Sequence, residues 1–433
     1  MLSDLRRRIP FGIGTVVMLI CGAMIGSLAV VLAQPSDAPH GGGHGYGQLR
    51  SYADTPEAVW TRGIDDLPGF SGSGGSVTVA DTHGSTWLLA YPSGIGRAFL
   101  AVNRHDGTSR WDHPVVAGLG SCAFDAEGHI GCAIKVGNVP DGFYRVDAGS
   151  GALDPAQPLE DTGRVLGVGR NFIRVDQVGY RVTSTSPDGA TRWSRTFADS
   201  ATPTYIPEAD LVDIKLADAS HSLLDPETGK TRLSCGPCTV TVFPTGLAVS
   251  HAGDSAVIDF YGFTGGKLSA KPTHVSRSME VATGPAVLPV LRGTGSATLN
   301  QTHGQFEVRD PAKPKALWAV SDDALSKAKP MACGRLVAFA RKDGSRNVMR
   351  LDGKGTVVGR LSAPDRQRPD TAIAELRCVG SFGDTLVLAN DNQVTAFDAK
   401  SGSIRWEFPA SGSAQNVDGF IVLRQGATIS LLR

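Results

Sequence analysis

The sequence predicts an all-β fold: an eight-bladed, alternatively seven-bladed, β-propeller of four-stranded antiparallel blades, preceded by one transmembrane helix. Three observations carry this expectation. An eleven-residue phrase recurs along the chain at intervals of 36–49 residues. Each interval reads as four short strands separated by turn residues. Glycine is abundant, 53 of 433 residues, and aromatic residues make up only 7%, a composition that supplies many tight turns. Outside residues 11–33, no apolar run keeps the i, i+3, i+4 period of a helix over ten or more positions.

The phrase is clearest in AVNRHDGTSRW (101–111) and AFDAKSGSIRW (396–406). Both place Ala first, Asn or Asp third, Gly seventh, Arg tenth and Trp eleventh. Degraded copies begin at Arg145, Thr183, Ser222, Asp259, Val308 and Met349, with turn positions Gly107, Gly151, Gly189, Gly229, Gly265, Pro314, Gly355 and Gly402. Self-similarity at this period marks a propeller or a solenoid. In the last full copy the strands are expected at 375–380, 384–390, 393–398 and 404–408. The Asp or Asn ends the third strand, where its short side chain hydrogen-bonds the turn backbone. The Gly takes the positive φ that the turn needs. The Trp returns on the outer strand, where its ring covers the gap to the next blade, a burial that stabilises by roughly 3 kcal/mol. Trp60, Trp111, Trp193, Trp318 and Trp406 are the residues expected in this interblade role.

The pattern A-x-[DN]-x-x-x-G-x-x-x-W resembles the repeat of the pyrroloquinoline-quinone-type, or quinoprotein-like, β-propellers. The resemblance covers about residues 57–433. That superfamily contains quinone-dependent alcohol dehydrogenases and a non-catalytic, BamB-like propeller lipoprotein of the outer-membrane barrel-assembly machinery. It implies a ring of seven or eight blades. In such rings an N-terminal strand often completes the C-terminal blade and removes the free edges. Eight phrases are present; the tail, 412–433, adds two further strands, and Trp60 in EAVWTRG reads as an orphan outer strand. Counted literally these give nine blades. The expectation is eight, with one degenerate copy between Leu233 and Ser269 counted in excess.

The N-terminus reads as an address. Residues 1–10, containing Arg6, Arg7 and Arg8, form a cytoplasmic tail, and the uncharged residues 11–33 form a helix of about 35 Å. That length spans a hydrocarbon core of about 30 Å. The arginines stay inside, so the chain after Ala33 lies outside the plasma membrane as a single-pass protein. A cleaved signal peptide is the competing reading, because Val31-Leu32-Ala33 before Gln34 has the form of a cleavage site. Residues 34–55, rich in Gly, His and Pro, read as a flexible linker, and 56–433 as the propeller. His40 and His44 on that glycine tract make a poor metal site.

Six cysteines follow the anchor, and an even number in an extracytoplasmic domain points to disulfides. Cys122 and Cys132 flank the Glu127-Gly128 turn of a hairpin. Cys333 and Cys378 occupy equivalent places in consecutive repeats, where they would staple neighbouring blades. Cys235 and Cys238 would close a small loop between two blades. Their CGPC sequence is also that of the thioredoxin active site, but the Thr-Val-Thr-Val-Phe that follows is a strand pattern, not the helix that activates a thioredoxin thiol. The structural reading is favoured here.

No residue is assigned a catalytic, cofactor-binding or metal-binding role, and no cofactor is expected. A quinoprotein dehydrogenase would need an adjacent Cys-Cys pair and a carboxylate cluster for calcium, and the chain has neither at the right spacing; Asp65-Asp66 and Asp322-Asp323 read as solvated loops. Lys+Arg and Asp+Glu are both 42, a balance that argues against nucleic-acid binding. The expected function is that of a non-catalytic, membrane-anchored scaffold for other envelope proteins. The alternatives are a ligand-sensing propeller and a dehydrogenase-like protein. His83, His105, His113, His129, His221, His251, His274 and His303 are scattered and read as loop or turn residues.

Overall fold

The computed structural model describes residues 45–72, 75–154, 161–253, 256–282, 284–295, 301–362 and 376–433. The expected cytoplasmic tail, the anchor at 11–33 and the first part of the linker lie outside the described residues. Among the described residues no helix is long and apolar enough to cross a membrane.

The described chain forms nine antiparallel sheets in sequence order: blade 1 (78–118), blade 2 (121–146), blade 3 (164–196), blade 4 (201–235), blade 5 (238–277), blade 6 (279–321), blade 7 (331–361), blade 8 (377–409) and blade 9. First strands of successive blades approach one another, as Met331–Cys333 does Arg377–Phe382, so they lie nearest the ring axis. Blade 9 takes Ser413–Val417, Phe420–Gln425 and Thr428–Leu432 from the end of the chain and Ala58–Gly63 from its beginning. Ala58 pairs with Leu432 and Gly63 with Thr428, which closes the ring.

The count of eight blades, or seven, is therefore corrected to nine among the described residues. The copy at 259–269 is not surplus. It belongs to blade 5, where Lys267–Leu268 is a short outer strand and His274–Arg277 also pairs with Val257–Thr264. The tail completes no earlier blade. Its three strands pair with each other and with the Trp60 strand, as a sheet of their own. Blade 2 departs from four strands, with three among the described residues.

Burial explains the sequence pattern of the strands. A middle strand has a neighbouring blade on each face, so it reads as a continuous apolar run: Thr385–Ala389, TLVLA, is buried throughout. An outer strand is covered on one face only, so Ile404–Pro409, IRWEFP, buries Trp406 and exposes its neighbours.

Antiparallel order puts the turns between first and second and between third and fourth strands on one face of the ring, here the turn face. The remaining turns and the blade-to-blade connections lie on the other, the link face. Residues 46–52, expected within the 34–55 linker, pack along the turn face. Leu49 N–H donates to Ser381 O at 2.9 Å, Ser381 N–H to Gly47 O at 2.8 Å and Arg50 N–H to Gly419 O at 2.9 Å. The segment thus touches blades 8 and 9, and a Cβ on Gly47 would stand 2.4 Å from Pro285 O and 2.8 Å from Gly334 N of blades 6 and 7. Leu49 and Tyr52 are buried, and these two apolar side chains are what the glycine-rich composition concealed.

Tyr52 is the clasp of this segment. Its hydroxyl donates to Leu432 O at 2.7 Å and accepts from Ile421 N–H at 2.8 Å. Burial pushes its phenol up to about 12, against the opposing Ile421 hydrogen bond and nearby arginines. Tyr52→Phe is expected to lower unfolding free energy by about 1–3 kcal/mol, by denaturant titration. The unfolded chain releases the phenol proton first, near pH 10, so stability is expected to fall from pH 10 to 12. The fall should be shallower in Tyr52→Phe and not abolished, because burial also raises Tyr91 and Tyr205.

Candidate interaction face and blade junctions

The tryptophans and the turn glycines of the phrase meet, but across blades rather than within one. Trp60 of blade 9 lies over Gly107 of blade 1, and a Cβ there would stand 2.8 Å from the ring. Trp111 covers Gly151 of blade 2, Trp193 covers Gly229 of blade 4 and Trp318 covers Gly355 of blade 7, with corresponding distances of 2.7, 2.7 and 3.3 Å. Each indole N–H then donates to a carbonyl of the blade it covers: Trp60 to Arg104, Trp111 to Ala148, Trp193 to Pro226 and Trp318 to Leu351, at 2.7–3.0 Å. Trp406 of blade 8 donates instead to Tyr52 O at 3.0 Å, so the N-terminal segment supplies the acceptor there. The glycine is needed twice, for φ near +70° at Gly107 and for the bare surface that admits a ring.

Blade 7 has Gly359 where blades 1, 3, 6, 8 and 9 have Trp, and backbone replaces the indole. A Cβ on Gly359 would lie 2.1 Å from Ala399 O, and one on Gly402 would lie 1.9 Å from Arg360 O. Just after the Trp position the pairing of third and fourth strands slips by one residue, between Ser184 and Thr185, Val308 and Arg309, and Ala396 and Phe397. Such bulges re-aim a side chain, here toward the next blade.

Three disulfides join Cys122 to Cys132, Cys235 to Cys238 and Cys333 to Cys378. Cys122 and Cys132 are directly opposite in blade 2, and Cys333–Cys378 ties the first strands of blades 7 and 8. His221 and His251, which read as loop residues in the sequence, sit on strands and face carboxylates. His221 Nδ1 is 2.9 Å from Asp213 Oδ2, and His251 Nε2 is 2.9 Å from Asp259 Oδ2. Their spacing of eight residues hides the pairing, which only strand register creates. Among the described residues no group of three His, Cys, Asp or Glu is placed to hold a metal.

The link face of blades 1–3 carries large apolar side chains in solvent. Ile95, Leu119, Val136, Val178 and Tyr180 are 70, 56, 52, 68 and 42% exposed. They stand on neighbouring turns that are bonded together. Leu119 N–H donates to Lys135 O at 2.8 Å, and Lys135 Nζ to Gln177 O at 3.0 Å. Val136 has φ +57°, a conformation costly for a β-branched residue. Asp141 holds it there, its Oδ1 accepting from Val136 N–H at 2.8 Å. Val357, Ile404 and Phe382, on blades 7 and 8, are also exposed.

The chain matches no protein-family model and no curated protein. Solved structures similar to it include BamB from Moraxella catarrhalis, at TM-score 0.41 and 14% identity over 88% of this chain and 98% of that one. The computationally designed Ika8 protein is similar at TM-score 0.42 and 12% identity over 84% and 98%. The Dos1 propeller is similar at TM-score 0.38 and 10% identity over 80% and 88%. The assignment as a propeller rests on the sheet topology itself.

Trp111→Ala and Trp406→Ala are each expected to destabilise the ring by about 3–5 kcal/mol, read from denaturant unfolding. Gly359→Ala is expected to destabilise it by about 1–3 kcal/mol, because its methyl meets backbone. A wild-type midpoint for Gly359→Ala would contradict the direct backbone contact.

Proposed function

We propose that the chain is a membrane-anchored, extracytoplasmic scaffold that binds other cell-envelope proteins through the link face of blades 1–3. The observation that carries this reading is Val136. A valine held at positive φ with half its surface in water contributes nothing to the core, and strain of that kind concentrates at functional sites. Four further exposed apolar side chains adjoin it, with Lys135, Asp141 and Gln177 as a polar rim, the anatomy of a protein-binding patch. The partner it suits is a protein with an apolar surface of its own and a polar border. The membrane part of the reading is supported by residues 6–33 of the sequence, and the role as a scaffold by the resemblance of the repeat.

A second reading, small-ligand binding, is favoured by a cavity of about 410 Å³ between blades 5 and 6, lined by Thr239, Thr241, Ser250 and Met279. Val257, Ile258 and Val281 also line it, so its size and mixed lining suit a small, partly apolar molecule.

The test is cross-linking of the tagged full-length chain in its native cells, followed by mass spectrometry of what co-purifies. The scaffold reading expects a reproducible envelope partner that is lost when the ring is deleted and the anchor kept. It also expects Val136→Gly to raise unfolding free energy by about 1 kcal/mol while reducing capture. Absence of a specific partner, or capture unchanged by Val136→Gly and Val178→Asp together, would contradict it.

A further inference from the structure

We propose that the Cys235–Cys238 disulfide is a thiol–disulfide exchange site that oxidises a dithiol of a partner protein. This goes beyond binding at blades 1–3 and rests on separate residues.

The pair joins the last strand of blade 4, Thr231–Cys235, to the first strand of blade 5, Cys238–Phe243, on the link face. As a staple it does little. The entropic gain of a disulfide grows with the loop it closes, and this bridge has a sequence separation of 3, against 10 and 45 for the other two. Hydrogen bonds already fix the link. Cys238 N–H donates to Ala219 O at 3.0 Å, and Ala252 N–H to Pro237 O at 3.1 Å.

The two sulfurs are not equivalent. Cys235 is half-buried beside exposed Gly236 and Pro237, whereas Cys238 is buried at 6%. An attacking thiol therefore reaches Cys235. Each cysteine also stands directly opposite a histidine across its sheet, Cys235 opposite His221 and Cys238 opposite His251. Directly opposed residues share a face, with Cβ atoms about 4.5–5.5 Å apart. Asp213 and Asp259 orient the two imidazoles. The cysteines of the other bridges face Tyr144, Leu336 and Leu388 instead. Basic groups beside a cysteine favour its thiolate, which is the leaving group of exchange.

A partner thiolate attacks Cys235 Sγ, the Cys235–Cys238 bond breaks, and Cys238 leaves as thiolate beside His251. The partner's second thiol loses its proton and attacks the partner sulfur of the mixed disulfide, and Cys235 leaves as thiolate beside His221. The partner loses two electrons and two protons and gains a disulfide. Cys235 and Cys238 gain both electrons and, through the imidazoles, both protons.

The experiment treats the folded full-length chain with dithiothreitol, traps thiols by alkylation at timed intervals and maps them by mass spectrometry. Cys235–Cys238 is expected to open at least about 100-fold faster than Cys122–Cys132 and Cys333–Cys378, with the ring still folded. His221→Asn and His251→Asn together should slow that opening about three- to tenfold. With a single-cysteine peptide activated as its mixed disulfide with thionitrobenzoate as the probe, the free Cys235 thiolate of Cys238→Ser should displace thionitrobenzoate and retain the peptide as a mixed disulfide, and Cys238 of Cys235→Ser should do so about tenfold more slowly. Opening of all three bridges at one rate, that of unfolding, would overturn the proposal in the unmutated chain alone. So would equal trapping at the two cysteines.

Discussion

A four-stranded blade has two apolar faces, and only its neighbours can cover them. The contact on which this ring depends is the one that makes each neighbour fit: an indole from the outer strand of one blade lying on the bare glycine of the next blade's turn, with its N–H satisfied by a carbonyl beneath it. The contact joins two positions of one phrase that never meet within their own copy. A sequence that repeats the phrase therefore specifies ring assembly, not merely blade formation. Blades 2, 4, 5 and 7 have no such indole, and at Gly359 of blade 7 backbone meets backbone instead.

The chain's two ends then meet one geometric demand. Blade 9 has three strands from the end of the chain and an open outer position, which Ala58–Gly63 fills. Trp60 on that strand docks onto blade 1, while Tyr52 receives Trp406 from blade 8. The segment from Leu49 to Trp60 thus secures blades 8, 9 and 1 to each other. The turn face carries this closure. The link face carries Val136, its exposed apolar neighbours and the Cys235–Cys238 link, while Tyr46, Asp210 and Asp418 hold positive φ on the turn face.

Much of this was legible in the residues. The phrase, its Asn or Asp and its glycine marked each third-to-fourth turn, and continuous apolar runs such as Thr385–Ala389 marked strands covered on both faces. The blade number was misjudged because the degraded copy between Leu233 and Ser269 was discounted as surplus, whereas its strands pair into a blade of their own. The packing of residues 46–52 was missed because glycine and histidine dominate the composition around Leu49 and Tyr52. The histidines opposite Cys235 and Cys238 were out of reach for a deeper reason. Strand register decides them, and a slip of one residue would have sent each to the opposite face. The apolar residues of the link face were likewise invisible, because exposure is a property of the folded turn and not of the residue type.

The most direct test of a ring that engages partners on one face is site-specific photo-crosslinking in native cells, with the probe placed singly at Val136 or Val178 on the link face and at Phe382 or His105 on the turn face. The account predicts one recurrent protein adduct from both link-face positions and none from the turn-face positions. The same adduct from the turn face, or none from Val136 and Val178, would contradict it.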